Sequence, residues 1–409
     1  MPELLSPAGN REKLEAAIRF GADAVYMAGN LFGMRAAADN FSLPELKDAV
    51  SYAHAHGVRA YITVNTMPRE HEYPLLREYL SALKDIKPDA LIVADLGVFM
   101  LAKEALPSVE LHVSTQANTV SAETCRAWHA LGAKRVVLAR ELSLEEIRCI
   151  RASVPDSLEL EAFVHGAMCI SYSGRCLLSN FFTGRDGNRG ACAQPCRWNY
   201  KTVEIKVEEE KRPDLPLTMI EEGGETFIMS SRDTCMIEHI PELMESGIDS
   251  FKIEGRMKSA YYAAVTANTY RMAINAYLKD EPYLYDPRWM RELTSVSHRE
   301  YGTGYYFENS REFANTTRDA GYLRDKAYLA SVLSYDEGTG EALCMQKNKM
   351  VLGMHTEILT PGKTGISFAF TALWDEEHRP IDSTPHPYMK FYIKMPFAVK
   401  AGDIIRGGE

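Results

Sequence analysis

Short apolar runs alternate with amphipathic stretches from residue 3 to about residue 258. The runs have the length of β-strands and are apolar at nearly every position, which is typical of strands buried on both faces of a parallel sheet. The stretches between them repeat apolar residues three and four positions apart, as Leu14, Ala17 and Ile18 do after Asn10, and so predict helices. Eight strands are predicted, at Glu3–Ser6, Ala24–Ala28, Ala60–Val64, Ala90–Ala94, Leu111–Ser114, Arg135–Ala139, Leu158–Val164 and Ser250–Ile253.

Strands that alternate with helices indicate βαβ units around a parallel sheet. Eight such units favour a closed barrel over an open doubly wound sheet, and no G-x-G-x-x-G motif follows the first strand. The predicted fold class is therefore α/β, with a (β/α)8 TIM-type barrel over residues 1–280.

One connection of this barrel is much longer than the others. Residues 165–249 separate the seventh strand from the eighth, and they contain five of the eight cysteines of the chain. Connections of this length in a compact domain are usually functional. The insertion divides into a Cys-rich loop over residues 166–200 and a hairpin-like segment over residues 200–230.

The pattern changes after the eighth strand. Tyr261–Leu278 is predicted to be a helix, and residues 281–325 are predicted to form a helical and loop segment that wraps around the barrel. From residue 326 the chain shows short alternating runs separated by Pro361-Gly362 and Gly402-Asp403. These features predict a small C-terminal all-β barrel domain over residues 326–409.

Composition narrows the class of protein. The chain has 409 residues and 46% apolar content, enough for a large core, and its apolar runs are far shorter than the roughly 18 to 20 residues of a membrane span. The N-terminus lacks the pattern of a secretory signal, so we expect a cytoplasmic protein. Eight cysteines in that reducing compartment favour metal or redox chemistry over disulfides. The formal net charge of −10 argues against indiscriminate nucleic-acid binding.

Four cysteines of the insertion are candidate metal ligands. Cys169, Cys176, Cys192 and Cys196 have the spacing C-x6-C-x15-C-x3-C in a loop rich in Gly, Ser and Asn. Four close thiolates suit a tetrahedral zinc ion or an iron–sulfur cluster, whereas the loop has little apolar surface to bury them as core residues. The six-residue gap fits zinc knuckles poorly, so the spacing favours iron–sulfur with zinc as the weaker alternative. Cys235 is a substitute ligand in principle, but its predicted helix favours a core position.

Polar residues follow the predicted strands at the end where barrel enzymes carry their catalytic groups. They could instead simply pair with one another. Arg256 is suited to binding a carboxylate in bidentate fashion, and His165 directly precedes the cysteine loop and could transfer a proton. The strand-end residues are Asn65, Asp95, Gln116, Arg140, Glu141, His165, Glu254 and Arg256, of which His165, Arg256, Arg140 and Glu254 are the catalytic candidates.

The cysteine loop is basic although the chain is acidic. Arg175, Arg185, Arg189 and Arg197 are interleaved with the aromatic residues Tyr172, Phe181, Phe182 and Trp198. Cations follow phosphates and aromatic rings stack on unpaired bases, so the loop is a candidate RNA-binding surface. A solvated loop or a subunit interface would explain the same composition.

Four motifs resemble one known family. The run EAFVHGAMCISYSGRCLLS at residues 161–179 is similar to the signature of the collagenase-like peptidases, a family of unknown catalytic type. Leu5–Asn10, Gly21–Tyr26 and Phe251–Arg256 match its other motifs, so the resemblance covers the whole chain. Within the family, Arg185–Trp198 and the C-terminal β domain most resemble the TrhP branch, whose members take part in tRNA uridine 5-hydroxylation.

The resemblance implies a function and a cofactor. It implies 5-hydroxyuridine synthesis at the tRNA wobble position, with prephenate as the hydroxyl donor and tRNA as the macromolecular partner. It also implies a [4Fe-4S] cluster with Cys169, Cys176, Cys192 and Cys196 as ligands. Because some relatives replace the last ligand, Cys196 is the least certain of the four. A shorter paralogue is a further candidate partner.

Fixed positive charges are needed to bind a dianionic donor such as prephenate in a water-poor pocket. The candidates nearest the strand ends are Arg140, Lys252 and Arg256, although Lys252 could instead point into the barrel wall. Two other classes of function remain open, a collagenase-like peptidase and a non-catalytic RNA-binding protein. The sequence contains no H-E-x-x-H motif and no recognisable nucleophile motif, which argues against a peptidase.

Overall fold

The computed structural model of the chain describes residues 1–34, 39–198, 220–222, 225–227, 231–279, 282–307 and 322–407. Seven parallel strands follow one another in sequence order, each hydrogen-bonded to the next. They are β1 (Glu3–Pro7), β2 (Ala24–Met27), β3 (Arg59–Val64), β4 (Ala90–Val93), β5 (Glu110–Val113), β6 (Arg135–Val137) and β7 (Glu159–Ala167).

The insertion after β7 supplies three short strands before the barrel closes. β8 (Ile220–Glu222) and β9 (Glu225–Phe227) form an antiparallel pair inside the predicted hairpin, most of which lies outside the described residues. β10 (Asp233–Cys235) pairs antiparallel with the end of β7. β11 (Ser250–Ile253) then pairs in parallel with both β7 and β1, which closes an eight-stranded barrel. The predicted (β/α)8 barrel is therefore confirmed.

Helices cover the outside of the barrel, and several of them begin at a side-chain cap. Asn10 accepts a hydrogen bond from the Lys13 backbone, and Ser42 and Ser143 each form a capping box with a glutamate. No described helix has the length and apolar character needed to cross a membrane. The helices are α1 (Arg11–Arg19), α2 (Leu43–Ala55), α3 (Tyr73–Ile86), α4 (Leu96–Ala105), α5 (Ala122–Leu131), α6 (Leu144–Ser153), α7 (Leu178–Thr183), α8 (Ile240–Glu245), α9 (Ala260–Tyr277) and α10 (Arg288–Thr294).

The C-terminal region is all-β, as predicted. After the short strand β12 (Tyr301–Gly302), a seven-stranded antiparallel sheet surrounds its own apolar cluster. Arg406 pairs with Glu292 of α10 at 2.7 Å, and Arg19 of α1 pairs with Asp403 at 2.5 Å, so ion pairs fix the sheet to the barrel. Its strands are β13 (Ala327–Asp336), β14 (Glu341–Gln346), β15 (Thr356–Leu359), β16 (Ile366–Phe368), β17 (Leu373–Trp374), β18 (Lys390–Lys394) and β19 (Ile404–Gly407).

Charged side chains fill part of the barrel interior. Arg135 of β6 contacts Glu3 of β1 at 2.6 Å and Glu161 of β7 at 2.9 Å through the same nitrogen, Nη1. Lys252 of β11 donates to the other oxygen of Glu161 at 2.7 Å. Burial opposes ionisation of Glu161, but Lys252 and Arg135 outweigh it and lower the pKa of this carboxyl to about 2. The network therefore joins the strands on both sides of the barrel closure by side chains as well as by backbone.

Replacing Arg135 with methionine should lower the free energy of unfolding by about 3 to 5 kcal/mol, because two buried carboxylates would lose their shared partner. Urea denaturation followed by circular dichroism measures the loss. Arg148→Met, at an exposed position of α6, is the matched control and should change stability by less than about 0.5 kcal/mol. Equal stability of the two variants would contradict a structural role for the network.

Candidate functional site

Two adjoining cavities lie at the carboxyl ends of the barrel strands. The first, the mouth pocket, is lined by side chains that follow or end the strands, among them Asn65, Gln116, Arg140, Lys252, Glu254 and Arg256. The second, the cysteine cavity, is lined by Cys169, Cys176, Cys192 and Cys196. Met34, Thr115, Gln116 and Arg140 line both cavities. A group in the cysteine cavity would therefore be separated from a ligand in the mouth pocket by little more than these side chains.

Arg256 is fixed in the mouth pocket by contacts on both its side chain and its backbone. The residue is 2% exposed, and its Nη1 atom donates to Thr63 Oγ1 at 3.1 Å. Its carbonyl oxygen accepts from Lys13 Nζ at 3.3 Å and lies against Gly9, where a Cβ atom would approach it to 2.5 Å. Glu254 accepts a hydrogen bond from the Tyr26 hydroxyl at 3.3 Å. Both predicted catalytic residues of this segment are thus brought to the pocket.

Arg140 forms part of the wall between the cavities. Its guanidinium lies over the Phe163 ring at 3.9 Å, and its Nη1 atom donates to the Ala167 carbonyl at 2.9 Å, two residues before Cys169. The Nε atom of Arg140 is buried and has no hydrogen-bond partner among the described residues. Because a buried donor without a partner is costly, this wall is suited to an anionic ligand.

Lys252 lies at the floor of the mouth pocket. The sequence left its direction open, and in the structure it points into the barrel interior, where it binds Glu161. Its ammonium also lies 4.7 Å from the centre of the Tyr26 ring and 5.4 Å from that of Phe163. Lys252 therefore links the buried charge network to the pocket above it.

His165 does not line either cavity. It is 1% exposed and packs among the rings of Tyr262, Tyr270 and Tyr301, with centroid distances of 5.3 to 5.9 Å. Burial, together with nearby His298 and Lys258, lowers the pKa of His165 to about 3, so the ring is neutral at physiological pH. Its predicted role in proton transfer has no geometric support and remains untested.

The four cysteines of the loop face one another, whereas Cys235 does not join them. Burial raises the pKa of Cys196, and the other three thiols contribute to the rise because they lie close by. No group of three His, Cys, Asp or Glu side chains within the described ranges has the arrangement that holds a single metal ion. Cys235 is 5% exposed in the core, as expected, although it lies on a strand and not on the predicted helix.

Polar contacts attach the cysteine loop to the barrel mouth. Ser173 donates from its backbone to Glu141 Oε1 at 2.8 Å, and Asn118 Nδ2 donates to the Ser173 carbonyl at 2.9 Å. Gly174 has a φ of +70°, and a Cβ atom there would lie 2.3 Å from the Gln116 carbonyl oxygen. Glu141, which the sequence indicated only as a strand-end residue, therefore positions the loop.

The predicted RNA-binding arginines differ in how strongly they are held. Arg189 pairs with Glu72 at 2.5 Å, Arg185 Nε donates to the Ala191 carbonyl at 3.0 Å, and Arg197 Nη2 donates to the Met168 carbonyl at 3.0 Å. Arg175 is exposed. These contacts show that three of the arginines also shape the loop.

The aromatic residues of the loop form an exposed surface. Phe181, Phe182 and Trp198 are 82%, 51% and 39% exposed, and Phe182 lies between the other two, with ring centroids 5.3 and 6.4 Å away. Large exposed rings of this kind commonly mark a binding surface. The binding of RNA by these rings and the nearby arginines remains a prediction.

Two family models match the chain. Peptidase family U32 matches residues 9–316, and the Peptidase family U32 C-terminal domain matches residues 324–406. The two matches divide the chain where the structure changes from the barrel and its wrap to the antiparallel sheet.

Three curated relatives illustrate the range of names in this group. The tRNA hydroxylation protein P1 of Bacillus subtilis is 36% identical over 100% of this chain and 95% of its own length. A collagenase of Porphyromonas gingivalis is 35% identical over 83% of this chain and 82% of its own length. The 23S rRNA 5-hydroxycytidine C2501 synthase of Escherichia coli is 35% identical over 68% of this chain and 40% of its own length.

Gly174→Ala should release the cysteine loop from the barrel mouth, whereas Gly184→Ala should not. Both glycines have left-handed φ values, +70° and +69°, so alanine costs about 1 to 2 kcal/mol of backbone strain at either position. Only at position 174 would the new Cβ atom meet other backbone, since nothing lies within 4 Å at position 184. Hydrogen–deuterium exchange over residues 168–198 should be faster in Gly174→Ala. Equal exchange in both variants would show that this contact does not hold the loop.

Proposed function

The chain belongs to peptidase family U32, and on that basis we propose that it hydroxylates the wobble uridine of tRNA to 5-hydroxyuridine, with prephenate as hydroxyl donor and a [4Fe-4S] cluster in the cysteine cavity. The observation that carries the proposal is the wall shared by the two cavities. Substrates in the mouth pocket would lie beside whatever the four thiols hold. The names of the relatives indicate hydroxylation of RNA, which fits such a paired site.

The cysteine cavity fits an iron–sulfur cluster in its donor set. Four thiols from one loop line a single cavity, and thiolates are the usual ligands of [4Fe-4S] clusters. The proposed ligands are Cys169, Cys176, Cys192 and Cys196, with zinc as the weaker alternative. When bound, a cluster would supply a redox-active and Lewis-acidic centre. Arg197, which also lines the cavity, adds a positive charge beside the thiolates.

The mouth pocket fits a small dianion such as prephenate. Arg140, Lys252 and Arg256 line it, and Glu254 is the carboxylate that lines it among the described residues. Arg256 is the first candidate for gripping a carboxylate, because Thr63 already orients its guanidinium in a buried site. Positive groups fixed before the ligand arrives lose little entropy on binding it.

Conversion of the C5–H bond of uridine to C5–OH is a two-electron oxidation. If the donor that gives up its hydroxyl group, here prephenate, keeps the electron pair and is reduced, the hydrogen leaves the ring as a proton. Glu254 lines the pocket and is oriented by Tyr26, whereas His165 lies outside it. A carboxylate within hydrogen-bond reach of a reacting ring is a suitable proton acceptor. Glu254 is therefore the better candidate for this step.

A peptidase is the alternative, since one relative is named a collagenase. The described residues that line the mouth pocket include no cysteine and no histidine. Ser114 Oγ accepts hydrogen bonds from Asn65 Nδ2 at 3.3 Å and from the Gln116 backbone at 3.2 Å, so it stabilises a turn and has no adjacent base. This arrangement favours hydroxylation. A cytoplasmic location and a shorter paralogue as partner remain predictions.

Protein purified without oxygen should be brown, with broad absorbance at about 400 nm from charge transfer between thiolate and iron. Cys176→Ala should lose most of the iron and the colour. Cys149→Ala is the control and should keep both, because Cys149 is an exposed thiol of α6 that does not line the cavity. Stoichiometric zinc without iron in the anaerobic protein would contradict the cluster.

Cells that lack this protein should lose 5-hydroxyuridine from their tRNA, as measured by mass spectrometry of nucleosides. Wild type should restore it, whereas Arg256→Ala, Glu254→Gln and Cys176→Ala should not. Arg288→Ala removes an exposed arginine of α10 and should restore it fully.

Two outcomes of that experiment count against the account. Persistence of the modification in the deletion, with no paralogue responsible, would overturn the hydroxylase. Full rescue by Arg256→Ala would contradict the role assigned to Arg256 but not the hydroxylase function. In a separate assay, cleavage of gelatin by the purified protein that is lost in Glu254→Gln would favour the peptidase.

A further inference from the structure

Two cations lie against the ring of Tyr322, and a third, from the rim of the cysteine cavity, acts on its hydroxyl. Lys258 Nζ lies 4.2 Å from the ring centroid, and the guanidinium carbon of Arg299 lies 5.4 Å from it. Arg197 of the cysteine loop is close enough that, with Lys258 and Arg299, it outweighs the effect of burial and lowers the pKa of the Tyr322 hydroxyl. These four residues are called the Tyr322 cluster.

The Tyr322 cluster is assembled from four separate segments and is held rigidly. Lys258 donates to the Ser297 carbonyl at 2.9 Å, Arg299 donates to the Ser231 carbonyl at 2.6 Å, and Arg197 donates to the Met168 carbonyl at 3.0 Å. Cations that are held by backbone carbonyls before a ligand arrives are well suited to binding an anion.

The cations of the Tyr322 cluster repel one another. Asp233 is the carboxylate that acts on both Lys258 and Tyr322, and it already pairs with Arg299 at 3.5 Å. Burial and the repulsion of Arg299 and Arg197 lower the pKa of Lys258 in spite of Asp233. An anion bound beside Lys258 would offset the repulsion from Arg299 and Arg197. Tyr322 is 55% exposed and Lys258 is partly exposed, so an anion can reach both from solvent, whereas Arg299 is 2% exposed and contributes its charge from behind them.

The position of the cluster indicates which anion it meets. Arg197 belongs to the Tyr322 cluster and also lines the cysteine cavity, which shares a wall with the mouth pocket. A polyanion whose reacting base enters the mouth pocket would carry its backbone across this rim. Phosphodiesters are bound by Arg and Lys side chains together with tyrosine hydroxyls.

We propose that Lys258, Arg197 and the Tyr322 hydroxyl bind a backbone phosphate of the RNA substrate next to the nucleotide that enters the mouth pocket, with the buried charge of Arg299 behind them. The proposal rests on the proposed function, because it takes tRNA as the substrate. The Tyr322 cluster would then fix the register of the strand without reading its sequence.

The test compares the binding of unmodified tRNA, transcribed in vitro, to the full chain over a series of salt concentrations. Lys258→Gln should weaken binding about fivefold at about 0.15 M salt and lower the slope of log K against log salt by roughly 0.7 to 0.9, as expected for one lost phosphate contact. Lys258→Arg keeps the charge and should restore both. Arg288→Gln removes one exposed positive charge of α10 and should leave the slope unchanged.

A second variant separates binding from folding. Tyr322→Glu introduces a carboxylate at a half-exposed position beside three cations, so the protein should melt at the wild-type temperature or above it. The same carboxylate would occupy the phosphate site, and tRNA binding should fall at least as far as in Lys258→Gln. Wild-type affinity and slope in both variants would overturn the proposal.

The outcomes distinguish this proposal from the function it rests on. Failure of wild-type protein to bind tRNA, or 5-hydroxyuridine that persists in the deletion, would contradict the proposed function itself. Normal tRNA binding by Lys258→Gln, combined with a melting-temperature rise from inorganic phosphate that only wild type shows, would assign the Tyr322 cluster to a small free anion instead of RNA.

Discussion

Inside the barrel, one guanidinium group binds carboxylates from two strands, and a lysine binds one of the same carboxylates. Arg135 binds Glu3 and Glu161, and Lys252 binds the remaining oxygen of Glu161. These residues lie on β6, β1, β7 and β11, so side chains span the place where the barrel closes. A buried network of this kind is stable only when every member has its partner, and it therefore fixes the relative positions of these strands. The direction of each strand end, and so of each side chain in the mouth pocket, depends on that constraint.

Lys252 connects the buried charge network to the mouth pocket. Its ammonium is bound from below by Glu161 and lies at the floor of the mouth pocket, where the rings of Tyr26 and Phe163 flank it. The Phe163 ring also supports Arg140, which in turn binds the backbone just before the first cysteine of the loop. One chain of contacts therefore runs from the barrel interior, through the pocket, to the cysteine cavity. In such an arrangement the cavities keep a fixed separation, which chemistry between two neighbouring bound groups requires.

Features that depend on neighbouring residues could be predicted from the sequence, whereas features that depend on contacts between distant segments could not. The eight barrel strands were predicted within a few residues, because apolar periodicity and turn residues act over short distances. The four cysteines were found for the same reason, since their spacing lies in one loop. His165 was expected at the mouth, but the pairing of β7 with β11 shifts register between Lys252 and Ile253, and such an irregularity turns the following side chains to the other face. The Tyr322 cluster could not be predicted, because its four members come from segments that meet only in the folded chain.

The central claim is that the mouth pocket and the cysteine cavity act as one centre across their shared wall. The most direct measurement is made with Arg140→Met, in cells that carry no other copy of the protein. Both the 5-hydroxyuridine content of their tRNA and the iron bound to the purified variant are determined. The account predicts that the variant keeps its iron but loses the modified nucleoside, because the four thiols are intact while the wall between the cavities has lost its charge. Wild-type levels of 5-hydroxyuridine in Arg140→Met cells would contradict it.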